Sequence, residues 1–172
     1  MRIREFLAIA LLSVLLSGAA DADEKALFDP LIGEWNVGPP GGAAAFIERF
    51  SWGQQRAYVW VRVALIRATG EEHLHFEGIA VWNAATKRYD YLFAVEPGSG
   101  VQEQGEFYAG ADGFIVRDVA LTAADGSTGT FRQTFRDLGD GRFETTLMRK
   151  TADGWAPTFP GSEKLIMIRR KS

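Results

Sequence analysis

Residues Arg88-Tyr89-Asp90-Tyr91-Leu92-Phe93-Ala94-Val95-Glu96 run into Pro97-Gly98-Ser99-Gly100 and out again through Val101-Gln102-Glu103-Gln104-Gly105-Glu106-Phe107-Tyr108-Ala109. In the first arm Tyr89, Tyr91, Phe93 and Val95 occupy every second position, so an extended chain gathers them on one face. A helix would scatter them. Pro-Gly-Ser-Gly supplies residues that reverse a chain cheaply, and the stretch therefore predicts two antiparallel strands, near 88–96 and 101–109, joined by a hairpin tip.

Outward from this hairpin the same alternation of Val, Phe, Tyr, Trp and Thr predicts strands near 32–37, 44–52, 57–68, 72–82, 113–121, 129–137, 142–150 and 163–170. Asp112-Gly113, Asp125-Gly126, Asp140-Gly141 and Asp153-Gly154 mark turns, since glycine adopts positive φ at little cost. Connections this short favour sequential hairpins over the long crossovers of a Greek key, and rolling the sheet closed removes its edges. The expected fold is all-β: a single up-and-down antiparallel β-barrel of about ten strands, with a two-sheet sandwich as the alternative. One helical turn over 23–29, with Asp23 as N-cap, would bring Leu27 and Phe28 to plug a barrel end.

At the N-terminus Arg2 and Arg4 precede an apolar run from Phe6 to Leu16, too short to span a bilayer comfortably, and Ala20-Asp21-Ala22 has the small-x-small form of a signal-peptidase site. Residues 1–22 are expected to be a signal peptide and 23–172 one periplasmic or secreted domain with no integral membrane span after cleavage. The 172-residue chain has 47% hydrophobic and 24% charged residues, a balance that suits a globular domain rather than disorder. A net charge of -3 leaves no basic surface for a phosphate backbone, so nucleic acid is not an expected partner. Without cysteine there is no disulfide, thiolate nucleophile or lipid-modified cysteine, and with two histidines a metal would need mostly carboxylate ligands. No metal or cofactor is expected.

Gly33-Glu34-Trp35 resembles the G-x-W signature of lipocalin and wider calycin barrels. In that group the tryptophan closes the barrel floor beneath an arginine from the last strand, for which Ile168-Arg169-Arg170-Lys171 offers a candidate. Over the longer chain, Leu31-Ile32-Gly33-Glu34-Trp35, Glu48-Arg49-Phe50-Ser51-Trp52, Phe76-Glu77-Gly78, Ala80-Val81-Trp82-Asn83, Thr86-Lys87-Arg88-Tyr89 and Phe131-Arg132-Gln133-Thr134-Phe135 resemble the bacterial lipocalin-like family DUF1579. The resemblance implies a calycin-type barrel and no particular chemistry. The nitrobindin-like barrels look similar but hold haem through a histidine near the C-terminus, and this chain has none after His75.

Inward parity selects the candidate site. Trp35, by the resemblance, faces in with Gly33 and Val37. Phe46, Glu48, Phe50 and Trp52 form the aromatic face of the second strand. The third is apolar on both faces, and its aromatic set, Tyr58, Trp60 and Arg62, is placed inward so that Arg62 neutralises Glu48. An outer-wall Arg62 stays open. His73 and His75 share a strand face with Glu77, a set that suits solvent better than a metal. Tyr91 and Phe131 belong to aromatic faces, and Gln133 lies between Phe131 and Phe135 as a polar group in an apolar lining. Gln102, Gln104 and Glu106 suit either face. The five tryptophans fill a core or line a cavity.

The chain contains no G-x-S-x-G, P-loop, H-E-x-x-H or dinucleotide-binding glycine motif. The expected function is therefore binding of a small, mainly hydrophobic ligand in the lumen by Trp35, Phe46, Glu48, Trp60, Arg62, Tyr91, Phe131 and Gln133. Two alternatives stand beside it: a lumenal lyase, isomerase or cyclase using Glu48 and Arg62, and a structural envelope protein with a filled barrel.

Overall fold

The computed structural model describes residues 26–171, and the expected signal peptide with Asp23 lies outside them. Among the described residues eleven strands follow in order: β1 (Gly33–Gly38), β2 (Phe46–Trp52), β3 (Tyr58–Ile66), β4 (Glu72–Asn83), β5 (Arg88–Val95), β6 (Val101–Ala109), β7 (Ile115–Thr122), β8 (Thr128–Gly139), β9 (Arg142–Thr151), β10 (Gly154–Pro157) and β11 (Leu165–Arg169). Each strand from β1 to β9 pairs antiparallel with the next, and β11 pairs with both β9 and β1. The ring of ten strands is thereby closed. Short turns make this possible: at Asp140-Gly141 both φ values are positive, 53° and 68°, the backbone that a two-residue hairpin needs to match strand twist.

β10 is an addition that the sequence reading leaves as turn. β9 lends its first half to β11 and its second half to β10, with Trp155 opposite Lys150. Between the two pairings, hydrogen bonds from Leu147 N to Ser162 O (2.7 Å) and from Thr158 N to Leu147 O (3.1 Å) tie the intervening loop to the wall.

One end of the barrel is plugged. Leu31 N and Ile32 N both donate to Phe28 O, forming the tight turn that drives Phe28 and Leu31 into the core, both fully buried. The Phe28 ring meets Tyr89 and Phe107 edge-on with centroids 4.8 and 4.9 Å away, a favoured aromatic geometry. Trp35 lies beside this plug, fully buried, its Nε1–H donating to Leu31 O at 2.6 Å. The Arg169 guanidinium covers its ring at 4.3 Å and donates to the carbonyls of Ile32 and Pro30. The expected floor contact is present.

Inward parity follows the aromatic faces on β2, β5 and β8 and reverses on β3. Val59, Val61 and Val63 are buried, whereas Trp60 is 39% exposed and Arg62 pairs with Glu77 on the outer wall at 3.2 Å. The inward placement of Trp60 and Arg62 is corrected on this ground. Phe50, Phe76 and Phe93 already crowd the interior beside β3, so valines fit where a tryptophan would overpack. Outside, Trp60 lies opposite Ile79, which in turn lies opposite Leu92, giving an apolar row across three strands.

No helix among the described residues is long and apolar enough to cross a membrane. The outer wall carries ion pairs, among them Arg62 with Glu77, Arg88 with Glu106 and Arg132 with Asp118. Such a wall is unlike the apolar band of a barrel that spans a bilayer.

Candidate functional site

Above the aromatic plug the barrel holds a cavity of about 260 Å³. Its floor is set by Glu48, Arg117 and Gln133, all nearly inaccessible, and its sides by Val63, Val119 and Phe131. Leu65 and Phe159, 37% and 39% exposed, form the rim with His75, so the cavity runs from a buried polar floor to the surface.

The floor is one hydrogen-bonded chain built from five strands, β2, β6, β7, β8 and β9. Arg117 of β7 occupies the inward parity shared by Ile115 and Val119, and its Nη2 donates to Glu103 of β6 at 2.6 Å. Its Nη1 donates to Gln133 Oε1 of β8 at 3.1 Å. Gln133 Nε2 then donates to Glu48 Oε1 of β2 at 2.8 Å and to Thr145 Oγ1 at 3.3 Å. Beneath, the guanidinium rests 5.0 Å from the ring centroid of Phe76 and 5.4 Å from those of Tyr91 and Phe93. Cation–π attraction to these rings helps hold a charge in so dry a place.

Burial pushes the Glu48 carboxyl above the ordinary carboxylate range, against the Gln133 hydrogen bond and the Arg117 charge, which pull it down. Burial also opposes the Arg117 charge, but Glu103, Tyr91 and Glu48 outweigh it and raise the guanidinium pKa further. Glu103 and Arg117 form the ion pair, and Glu48 is joined to Arg117 through Gln133. Burial lifts the Tyr91 hydroxyl to about 12, and that hydroxyl donates to Asp118 O at 3.1 Å.

Four buried side-chain polar atoms lack a hydrogen-bond partner among the described residues: Glu48 Oε2, Arg117 Nε, Thr158 Oγ1 and Trp82 Nε1. The first three belong to residues that line the cavity. Native interiors leave few such atoms unpaired, so their concentration around one void is informative.

Of the expected site residues, Phe46, Glu48, Phe131 and Gln133 line the cavity together. Trp35 lies at the plugged end, and Tyr91 lies beneath Arg117. Trp60 and Arg62 are on the outside, so Glu48 and Arg62 do not form the acid–base pair of the enzymatic alternative. Sequence reasoning missed Arg117, Glu103, Thr158 and the rim. The signal for Arg117 was a charged residue in register with Ile115, Val119 and Leu121. The signal for Glu103 was its parity with Val101 and Phe107.

At the rim, His73 Nε2 and His75 Nδ1 lie 2.9 and 2.8 Å from the two oxygens of Glu96. Glu77, the expected third member of that set, is engaged by Arg62 instead. Among the described residues no group of three His, Asp or Glu is arranged to hold a metal ion.

The closed antiparallel ten-stranded barrel, plugged at one end and hollow at the other, is compatible with a calycin-like fold. No protein-family model matches the chain, and no curated protein matches it either.

Proposed function

We propose that this protein is an exported, lipocalin-like carrier that binds a small, mainly hydrophobic molecule in its lumen, with the polar end of the ligand at the Glu48–Gln133 floor. One observation carries the reading: an apolar-walled cavity of about 260 Å³ whose lining residues carry three of the four unpartnered buried polar atoms found among the described residues. Pockets for small molecules combine an apolar lining with a few convergent polar groups in this way. The same cavity weighs against a barrel packed solid. Export rests on the sequence of residues 1–22, and kinship with DUF1579 on the quoted motifs from Leu31 to Phe135.

Titration of the protein with N-phenyl-1-naphthylamine, a neutral probe that fluoresces in apolar surroundings, tests the reading. Saturable one-to-one binding that weakens at least tenfold in Leu121→Trp, which narrows the cavity, is expected. An absence of saturable binding, or binding indifferent to Leu121→Trp, would overturn it.

A further inference from the structure

The polarity of the floor can be followed atom by atom from Arg117. A guanidinium has only N–H donors, so Gln133 must turn its amide oxygen toward Arg117 and its NH₂ toward Glu48. Glu48 Oε1 must therefore accept. If Glu48 carries a proton, that proton sits on Oε2, the oxygen for which the protein provides no partner. Counting charge leads to the same state. One cation, Arg117, faces two carboxylates, and Glu103 already takes the Arg117 Nη2–H at 2.6 Å with both partners nearly buried. A protonated Glu48 leaves the floor neutral, whereas an ionised one would leave an uncompensated charge in an apolar chamber.

We infer that the lumen, taken as the binding site proposed above, selects neutral hydrophobic molecules bearing a carbonyl-type acceptor, to which Glu48 Oε2–H donates, and discriminates against carboxylates and ammonium ions. A ligand carboxylate meets an Arg117 charge that Glu103 already balances, although the Arg117 Nε–H is unpartnered, and it would bring a further negative charge beside Glu103. A ligand ammonium would require Glu48 to ionise and both charges to remain in a chamber walled by Val63, Val119, Leu121 and Phe131. A ketone, ester or amide oxygen satisfies the orphaned hydroxyl and adds no charge. Specificity then comes from a polar group that is left unpaired by the wrong ligand, the kind of site that discriminates most sharply.

Displacement of bound N-phenyl-1-naphthylamine by 2-octanone, octanoate and octylammonium at pH 7 separates the classes. 2-Octanone is expected to compete at least tenfold more strongly than either ion. Glu48→Gln, whose amide N–H replaces the acid O–H, should keep that preference, whereas Glu48→Leu should reduce it at least tenfold while the protein still binds the probe. Octanoate or octylammonium competing as well as 2-octanone, or no displacement by 2-octanone, would overturn the inference and leave lumenal binding standing. Failure of the folded protein to bind N-phenyl-1-naphthylamine at all would overturn both.

Discussion

Gln133 on β8 donates to Glu48 on β2 at 2.8 Å across the lumen, joining residues 85 positions apart in sequence. This bond closes the polar floor and hands the Arg117 polarity to the carboxyl beneath the cavity. The energetic consequences of the arrangement are measurable.

Because burial raises the Glu48 pKa in the folded state, the native protein holds that proton where the unfolded chain has released it. The associated stability is fully present below the ordinary glutamate value, near pH 4.3, and is lost as pH rises through the raised folded value. Each pH unit of that window costs about 1.4 kcal/mol. Glu48→Gln removes the titration, so wild-type stability minus variant stability, followed by urea unfolding across pH 4 to 9, should decline with pH and then level. A difference that increases with pH would contradict the assignment.

Arg117→Met leaves Glu103 buried without its counter-ion and Gln133 without its donor. Breaking such a pair from one side should cost about 3–5 kcal/mol. Glu103→Gln in the same background should restore part of the loss, and the double-mutant cycle by urea denaturation reads the coupling directly.

Arg169→Ala removes the cover from Trp35 and the donors to Ile32 O and Pro30 O. A loss of about 2 kcal/mol is expected, combining a cation–π contact with charged hydrogen bonds at a partly exposed site. Trp35 fluorescence should shift to the red as water reaches the indole, and an unchanged spectrum and melting temperature would count against the seal.

Gly78→Ala places a methyl on the carbonyl oxygen of Leu92 and the ring of Phe93. Both neighbours belong to the paired wall and cannot yield cheaply, so overpacking should cost about 1–3 kcal/mol. Thermal unfolding of the variant measures it.

The sequence discloses the barrel because its signals are local: period-two faces such as Tyr89 to Val95 and turn dipeptides such as Asp140-Gly141 act within a few residues. Parity is harder to read. On β3 both faces are apolar, and what turns Trp60 outward is the crowding of Phe50, Phe76 and Phe93 inside, supplied by other strands. Arg62 follows by alternation, and its partner becomes Glu77 rather than Glu48. Glu48, Phe46, Phe131 and Gln133 could be found because each lies on an evident aromatic face. Arg117 escaped because its role depends on the pairing register, which sets Gln133 of β8 directly opposite it, and on Glu103 of β6, which lies along the neighbouring strand from its register partner Phe107.

The most direct test is a crystal structure of the protein grown or soaked with 2-octanone. The account predicts the alkyl chain between Val119, Leu121 and Phe131, with the ketone oxygen within hydrogen-bonding distance of Glu48 Oε2 and the Glu103–Arg117 pair intact. A lumen filled by collapsed side chains, with the ketone bound only on the outer wall, would contradict it.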